Sequence, residues 1–148
     1  MTSLTNFFSG QQILIHSWTY YVQNAVNSLK AKGAIPIVSS QTPNNGWTNG
    51  VISAGPRFVG YAATAASRTG VGYVDHYAFT AKAYNALGQT TVNTYFPVDH
   101  THTTAAGANV VAQTFVKGLI CGNTALKAKV NTSVRLEYVP GMFLSCDS

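Results

Sequence analysis

Two short apolar runs constrain this chain most. They are Ala34-Ile35-Pro36-Ile37-Val38-Ser39-Ser40 and Val71-Gly72-Tyr73-Val74-Asp75. Both are too short for buried helices, and both lack polar alternation, the pattern of strands covered on two faces. Each follows a stretch of helical period. Trp18, Tyr21, Val22, Ala25, Val26 and Leu29 recur at spacings of three and four, leaving Gln23, Asn24, Asn27 and Lys30 outside, with Lys30, Lys32 and Gly33 as stop signals. Pro56 opens a second helix to about Arg68, with Phe58, Tyr61, Ala62 and Ala65 facing inward and Gly70 ending it. A third helix is expected over 77–87, stopped by Gly88. A fourth runs from Thr103 or Thr104 to about Ile120, with Ala108, Val111, Ala112, Phe115 and Leu119 on one stripe. Helices alternating with covered strands specify an α/β fold with a parallel sheet, here one domain over 1–148. Pro36 cannot donate to a ladder and belongs at a strand edge or start. Residues 1–16 read as irregular, 41–55 and 89–103 as loops, and a strand is expected at 134–139.

Composition limits the partners. Charged residues make up 9% of the 148, against about 25% in an average domain. That excludes a coiled coil or a charge-rich disordered segment. No run of about 18 apolar residues is present, so no membrane-spanning helix is expected. The net charge of +5 comes from nine Lys+Arg against four Asp+Glu. These bases are scattered, which argues against nucleic acid and leaves a mild attraction for acidic polymers, acidic polysaccharides included. Cys121 and Cys146 are compatible with a single disulfide of the kind found in secreted proteins, two buried free thiols being the alternative. Asn131-Thr132-Ser133 is a glycosylation sequon. The N-terminus has no basic region, and Ile13-Leu14-Ile15 is too short for a signal peptide core. Secretory features without an export signal lead to the expectation that the natural N-terminus lies upstream.

The segment richest in chemistry is Phe96-Pro97-Val98-Asp99-His100-Thr101-His102-Thr103-Thr104-Ala105-Ala106-Gly107. It sets a carboxylate three residues before a histidine, on a loop entering a helix. At that spacing Asp99 can fold back on His102, fix its tautomer and stabilise the imidazolium formed in proton transfer. His100 competes as the partner. A metal reading is open too, but one Asp and two His make a thin ligand set, and no metal is expected. Asp75-His76, at a strand end, suits a structural or substrate-contacting role. Trp47 can stack on a sugar ring or simply anchor its loop. Ser39 and Ser40 sit at a strand's carboxyl end without the Gly-x-Ser-x-Gly elbow of a nucleophile.

The block from Asn93 to Leu119 resembles the C-terminal catalytic block of the SGNH/GDSL hydrolases. Ala31-Lys32-Gly33-Ala34, Val38 to Asn45, Arg57-Phe58-Val59 and Tyr73-Val74-Asp75-His76 follow the family's order as well. The resemblance, over roughly 17–122, is strongest to members that remove acetyl groups from a pectic polysaccharide. It implies a flavodoxin-like α/β/α sandwich, a serine mechanism without cofactor, and an extracellular location. Asp99 would orient the imidazole, and His102 would deprotonate the serine and later protonate the sugar hydroxyl. The family's nucleophile lies in a Gly-Asp-Ser block, and this chain has none. The family's oxyanion donors, a Gly and an Asn, have no matching position either. The expectation is therefore a partial sandwich lacking the N-terminal strand and nucleophile block, with an exposed strand edge and no catalytic competence alone. A non-catalytic polysaccharide-binding or interaction module is the alternative.

Overall fold

The computed structural model describes residues 2–5, 12–131 and 146. The chain opens with a hairpin, in which β1 (Thr2–Thr5) pairs antiparallel with β2 (Gln12–Ile15). This corrects the irregular start expected for 1–16. The apolar run Ile13-Leu14-Ile15, with two β-branched residues, favours a strand, but four residues are too few for a period to show.

Helix α1 (Trp18–Ala31) starts where the Ser17 side chain accepts the Tyr20 N–H. Strand β3 (Ile37–Ser39) begins one residue after Pro36, as a residue without an N–H requires. The expected loop over 41–55 contains a second hairpin, β4 (Trp47–Thr48) with β5 (Val51–Ile52). Its two-residue turn is Asn49-Gly50, with φ of 51° and 79°. Two left-handed residues match the right-handed twist of the strands they join, and Asn-Gly supplies them at least cost. Helix α2 (Arg57–Thr69) ends at Gly70, whose φ of 64° few other residues adopt cheaply. Strand β6 (Gly72–Val74) leads to Asp75, whose carboxylate accepts the Ala78 N–H and caps α3 (His76–Leu87). The loop expected over 89–103 begins with a short helix, α4 (Gln89–Asn93). Thr104 caps α5 (Ala105–Cys121), and a 3-10 turn follows at Lys127–Lys129. The strand expected at 134–139 and the sequon's Thr132 and Ser133 lie outside the described residues.

Strands β3 and β6 are parallel, with Ile37 opposite Gly72, Val38 opposite Tyr73 and Ser39 opposite Val74. A parallel pair needs a crossover, and α2 supplies it. Val38 and Tyr73 face α1 and α2, joining Val26, Ala62 and Ala66 in one apolar cluster. Val74 faces the other way, toward α5: a Cβ built on Gly118 would sit 2.5 Å from its Cγ1. Helices thus lie on both faces of a parallel sheet, the partial α/β/α sandwich that the resemblance implied. Among the described residues β3 pairs with β6 alone. A second cluster, Ile52, Ala83, Tyr84, Val92, Phe96 and Val110, ties β5, α3, α4 and α5 together at the carboxyl side of the sheet.

Two expected apolar faces are corrected. On α1 and α2 only Thr19, Val26, Ala62, Ala65, Ala66 and Thr69 are buried. The helices meet through these small side chains, which leaves no room for large rings, and Trp18, Tyr21, Phe58 and Tyr61 are exposed. On α5 the buried residues are Gly107, Val110, Thr114, Lys117, Gly118 and Leu119, while Ala108 and Ala112 face solvent. Close approach selects Gly118 there, and the Thr80 and Thr114 hydroxyls satisfy each other at 2.7 Å in the α3–α5 seam.

Candidate active site

Asp99 makes three hydrogen bonds within its own loop. Its Oδ1 accepts the backbone N–H of Thr101 and of His102, each at 2.7 Å, a turn that Asp favours. Its Oδ2 lies 2.7 Å from His102 Nδ1. The His102 N–H, the His102 ring and the Thr101 N–H, in that order, hold the carboxyl well below the usual carboxylate range. An ionised carboxylate only accepts, so the proton of the shared bond sits on Nδ1. In the neutral ring Nε2 is then the basic atom. The His102 side chain is 83% exposed and that of Asp99 43%. Among the described residues the ring's hydrogen bond goes to Asp99 only. His100 does not compete, since the carboxylate is committed to its neighbour.

This geometry carries a pH dependence. The folded value of Asp99 lies below the ordinary 3.8. Its contribution to stability is therefore complete above that value and is lost as pH falls through the lowered one. Thermal unfolding of wild type and Asp99→Asn should differ at neutral pH, and the difference should shrink progressively as the pH falls below 3.8. The same substitution should shift the His102 ring away from the Nδ1–H tautomer, read from imidazole ¹⁵N shifts. An unchanged tautomer would break the link between the two side chains.

The loop leaving β3 closes on this segment. The Asn45 N–H donates to the His100 carbonyl at 2.8 Å, and Asn45 Nδ2 donates to Asn93 Oδ1 at 3.0 Å. Trp47 Nε1 donates to Asn45 Oδ1 at 2.7 Å, and its half-buried ring packs on the Ile52–Tyr84 cluster. In this arrangement Trp47 anchors the loop. Asn45 and Asn93 were not singled out from the sequence; they bridge segments 48 residues apart, and no local motif marks such a bridge. The one available signal was a doubled Asn beside turn residues, which spells loop rather than site.

The other candidates serve the frame. His76 Nε2 lies 2.9 Å from the Val111 carbonyl and its ring is edge-on to Phe115; burial pushes its pKa down. Ser39 Oγ donates to the Ser40 carbonyl at 3.0 Å. Ser40 is buried, and its Oγ accepts the Tyr77 N–H at 2.9 Å and lies 3.5 Å from Asp75 Oδ1. Neither hydroxyl reaches His102. The described residues contain no cluster of three or more His, Cys, Asp or Glu able to hold a metal ion, and no helix among them is long and apolar enough to cross a membrane. Cys121 and Cys146 form a disulfide, with Cα atoms 5.2 Å apart.

The histidine loop depends on a small residue behind it. A Cβ on Gly107 would lie 2.8 Å from Tyr95 Cβ and 3.0 Å from Thr103 Cβ. Thr103 follows His102 directly, and the Thr104 N–H is held by the Tyr95 carbonyl at 2.8 Å. Gly107→Ala should therefore cost about 1–3 kcal/mol by overpacking, measured by urea denaturation. It should also perturb the His102 ring signals, which an equally destabilising change remote from this loop would leave in place.

No protein-family model matches the chain. Over 120 residues the chain is 48% identical to rhamnogalacturonan acetylesterase of Emericella nidulans. The match takes in 80% of the chain and 49% of that protein, so the chain spans about half the length of this relative.

Proposed function

The chain is close to the C-terminal part of rhamnogalacturonan acetylesterase, an SGNH-type enzyme, and from that premise we propose that it carries the proton-transfer half of an esterase that removes acetyl groups from a pectic polysaccharide. The Asp99–His102 pair carries the reading. His102 Nε2 takes the proton of a serine hydroxyl as that oxygen attacks the acetyl carbonyl. It then delivers the proton to the departing sugar oxygen, and in the second half activates water against the acyl-enzyme. Asp99 keeps the proton on Nδ1 and stabilises the imidazolium. The attacking serine and the oxyanion donors belong to blocks without counterparts in these 148 residues. The chain alone is then a base without a nucleophile. A disulfide is consistent with an oxidising, extracellular setting.

The test supplies the missing group. Alone, the chain should not react with a fluorophosphonate probe and should not release acetate from acetylated rhamnogalacturonan. Supplemented with the Gly-Asp-Ser-bearing part of the relative, it should release acetate, and His102→Ala should abolish that release. Release by the supplemented chain that survives His102→Ala would overturn the assignment. A non-catalytic binding module would retain the polysaccharide but gain nothing from the added serine.

A further inference from the structure

The Asp99–His102 pair is built within one turn of chain, so the pair by itself does not fix where it stands on the molecule. Both side chains are open to solvent, and Val98 beside them is 88% exposed. The loop is closed at its base, where the Thr104 N–H meets the Tyr95 carbonyl at 2.8 Å. Among the described residues, one backbone bond enters positions 97–103 from another segment: the Asn45 N–H donates to the His100 carbonyl at 2.8 Å. His100 stands between the two members of the pair.

Asn45 is itself held on two sides. An indole N–H only donates, so the Asn45 side-chain oxygen faces Trp47, at 2.7 Å, and its amide nitrogen faces Asn93 Oδ1, at 3.0 Å. Asn93 is the last residue of α4, at the entrance to the segment that carries the pair. Trp47 packs on the Ile52–Tyr84 cluster. The hairpin that Trp47 begins is fixed to α3: Asn85 Oδ1 accepts the Ile52 N–H at 2.7 Å, and the Tyr77 hydroxyl donates to the Ser53 carbonyl at 2.6 Å. The Tyr77 N–H meets Ser40 Oγ just past β3, and the Ser53 N–H meets the Gly46 carbonyl at 3.0 Å, next to Asn45. A chain of bonds thus runs from the carboxyl end of the sheet to the tip of the histidine loop, and Asn45 is its last member.

We infer that Asn45 is a positioning residue for the proton transfer, the side chain that sets where His102 Nε2 stands relative to the reacting oxygen. The inference rests on the proposed esterase chemistry and concerns placement alone, since tautomer and charge stabilisation come from Asp99. Proton transfer needs heavy atoms within about 2.6–3.2 Å, and a misplacement of about 1 Å costs about 10²-fold. The place demands an amide. Asparagine accepts from the indole and donates to Asn93 at once, whereas aspartate has no donor and alanine has neither group. Truncation at 45 leaves the backbone N–H on His100, but its stem is no longer braced from Trp47 and Asn93, and the loop tip drifts with it.

Asn45→Ala, with its fold checked by circular dichroism, separates placement from chemistry. In the chain supplemented with the Gly-Asp-Ser-bearing part of the relative, it should lower kcat for acetate release about 10–100-fold and leave KM within about twofold, the mark of a contact that matters only in the transition state. In the chain alone, its His102 ring should keep the Nδ1–H tautomer in imidazole ¹⁵N shifts, which Asp99→Asn should not. The heteronuclear ¹H–¹⁵N NOE of the Thr101 and His102 amides should fall, because an unbraced loop moves faster. Asn93→Asp, whose carboxylate still accepts from Asn45 Nδ2, should lose less than Asn93→Ala in both readouts. The proposal is overturned if Asn45→Ala keeps the wild-type kcat, if its loss falls on KM, if the tautomer changes with it, or if the loop amides stay as rigid as before. A supplemented wild type that releases no acetate would strike the esterase reading instead, and the amide NOE of the chain alone would still decide whether Asn45 holds the loop.

Discussion

Given acetylated rhamnogalacturonan, this chain alone should release acetate about 10⁶-fold more slowly than a complete serine esterase, the loss that follows removal of the nucleophile. A surrogate would need a free hydroxyl beside His102 Nε2. Ser40 is buried, receives the Tyr77 N–H and faces Asp75, and Ser39 is spent on a neighbouring carbonyl. Neither is hydrogen-bonded to an imidazole: the Ser40 hydroxyl has only a long 3.5 Å contact to Asp75 Oδ1 and the Ser39 hydroxyl donates to a carbonyl, so each keeps the weak nucleophilicity of an ordinary alcohol. The residual catalysis that survives in nucleophile-free serine hydrolases comes from the oxyanion hole and binding, and the oxyanion blocks have no counterpart here. A further consequence is non-additivity. In the chain alone His102→Ala should change nothing, while in the supplemented enzyme it should cost nearly as much as removing the serine. Asp99→Asn should cost about 10⁴-fold there, through the wrong tautomer. The assays are acetate release and mass spectrometry after fluorophosphonate treatment. An adduct on Ser39 or Ser40 would refute the account.

The elements most legible in the sequence were those whose boundaries are set by single residues. Gly70, Gly88 and Thr104 stand at the helix termini found in the structure, and Pro36 marks where β3 begins. The Asp99–His102 contact was legible too, because a carboxylate three residues back in a tight loop can reach only so far. What escaped depended on packing between distant segments. The stripe expected on α5 was drawn through Ala108 and Ala112, since hydropathy rewards methyl groups. The buried face runs instead through Gly107, Thr114 and Gly118, where contact distance and hydroxyl pairing decide. The aromatic face of α1 and α2 is the opposite case. Its period implies burial against a full layer, but Trp18, Phe58 and Tyr61 lie exposed at a rim. The hairpins and α4 are too short for any period, and Asn45 acts across a gap that no motif spans.

Replacing Cys121 and Cys146 together by Ser should lower the melting temperature by roughly 7–14 °C. The bond closes a loop with a sequence separation of 25, for which loop entropy gives about 3.5 kcal/mol. Each kcal/mol shifts the midpoint by about 2–4 °C at this chain length. The position of the bond makes the loss consequential. Cys121 ends α5, and the chain then turns tightly against β6: a Cβ on Gly122 would lie 2.8 Å from the Tyr73 carbonyl, and one on Gly72 2.8 Å from the Asn123 carbonyl. The disulfide thus tethers chain that presses on one strand of a two-stranded sheet, while among the described residues β3 has no neighbour beyond β6. Freed from it, the 121–124 segment can lift from β6 and expose a strand edge at both sides of the pair, the condition that favours association between chains. Scanning calorimetry with and without reductant reads the shift, and light scattering reads the association. An unchanged midpoint in the double variant, or two thiols that titrate in the native protein, would show that the fold stands without this bond.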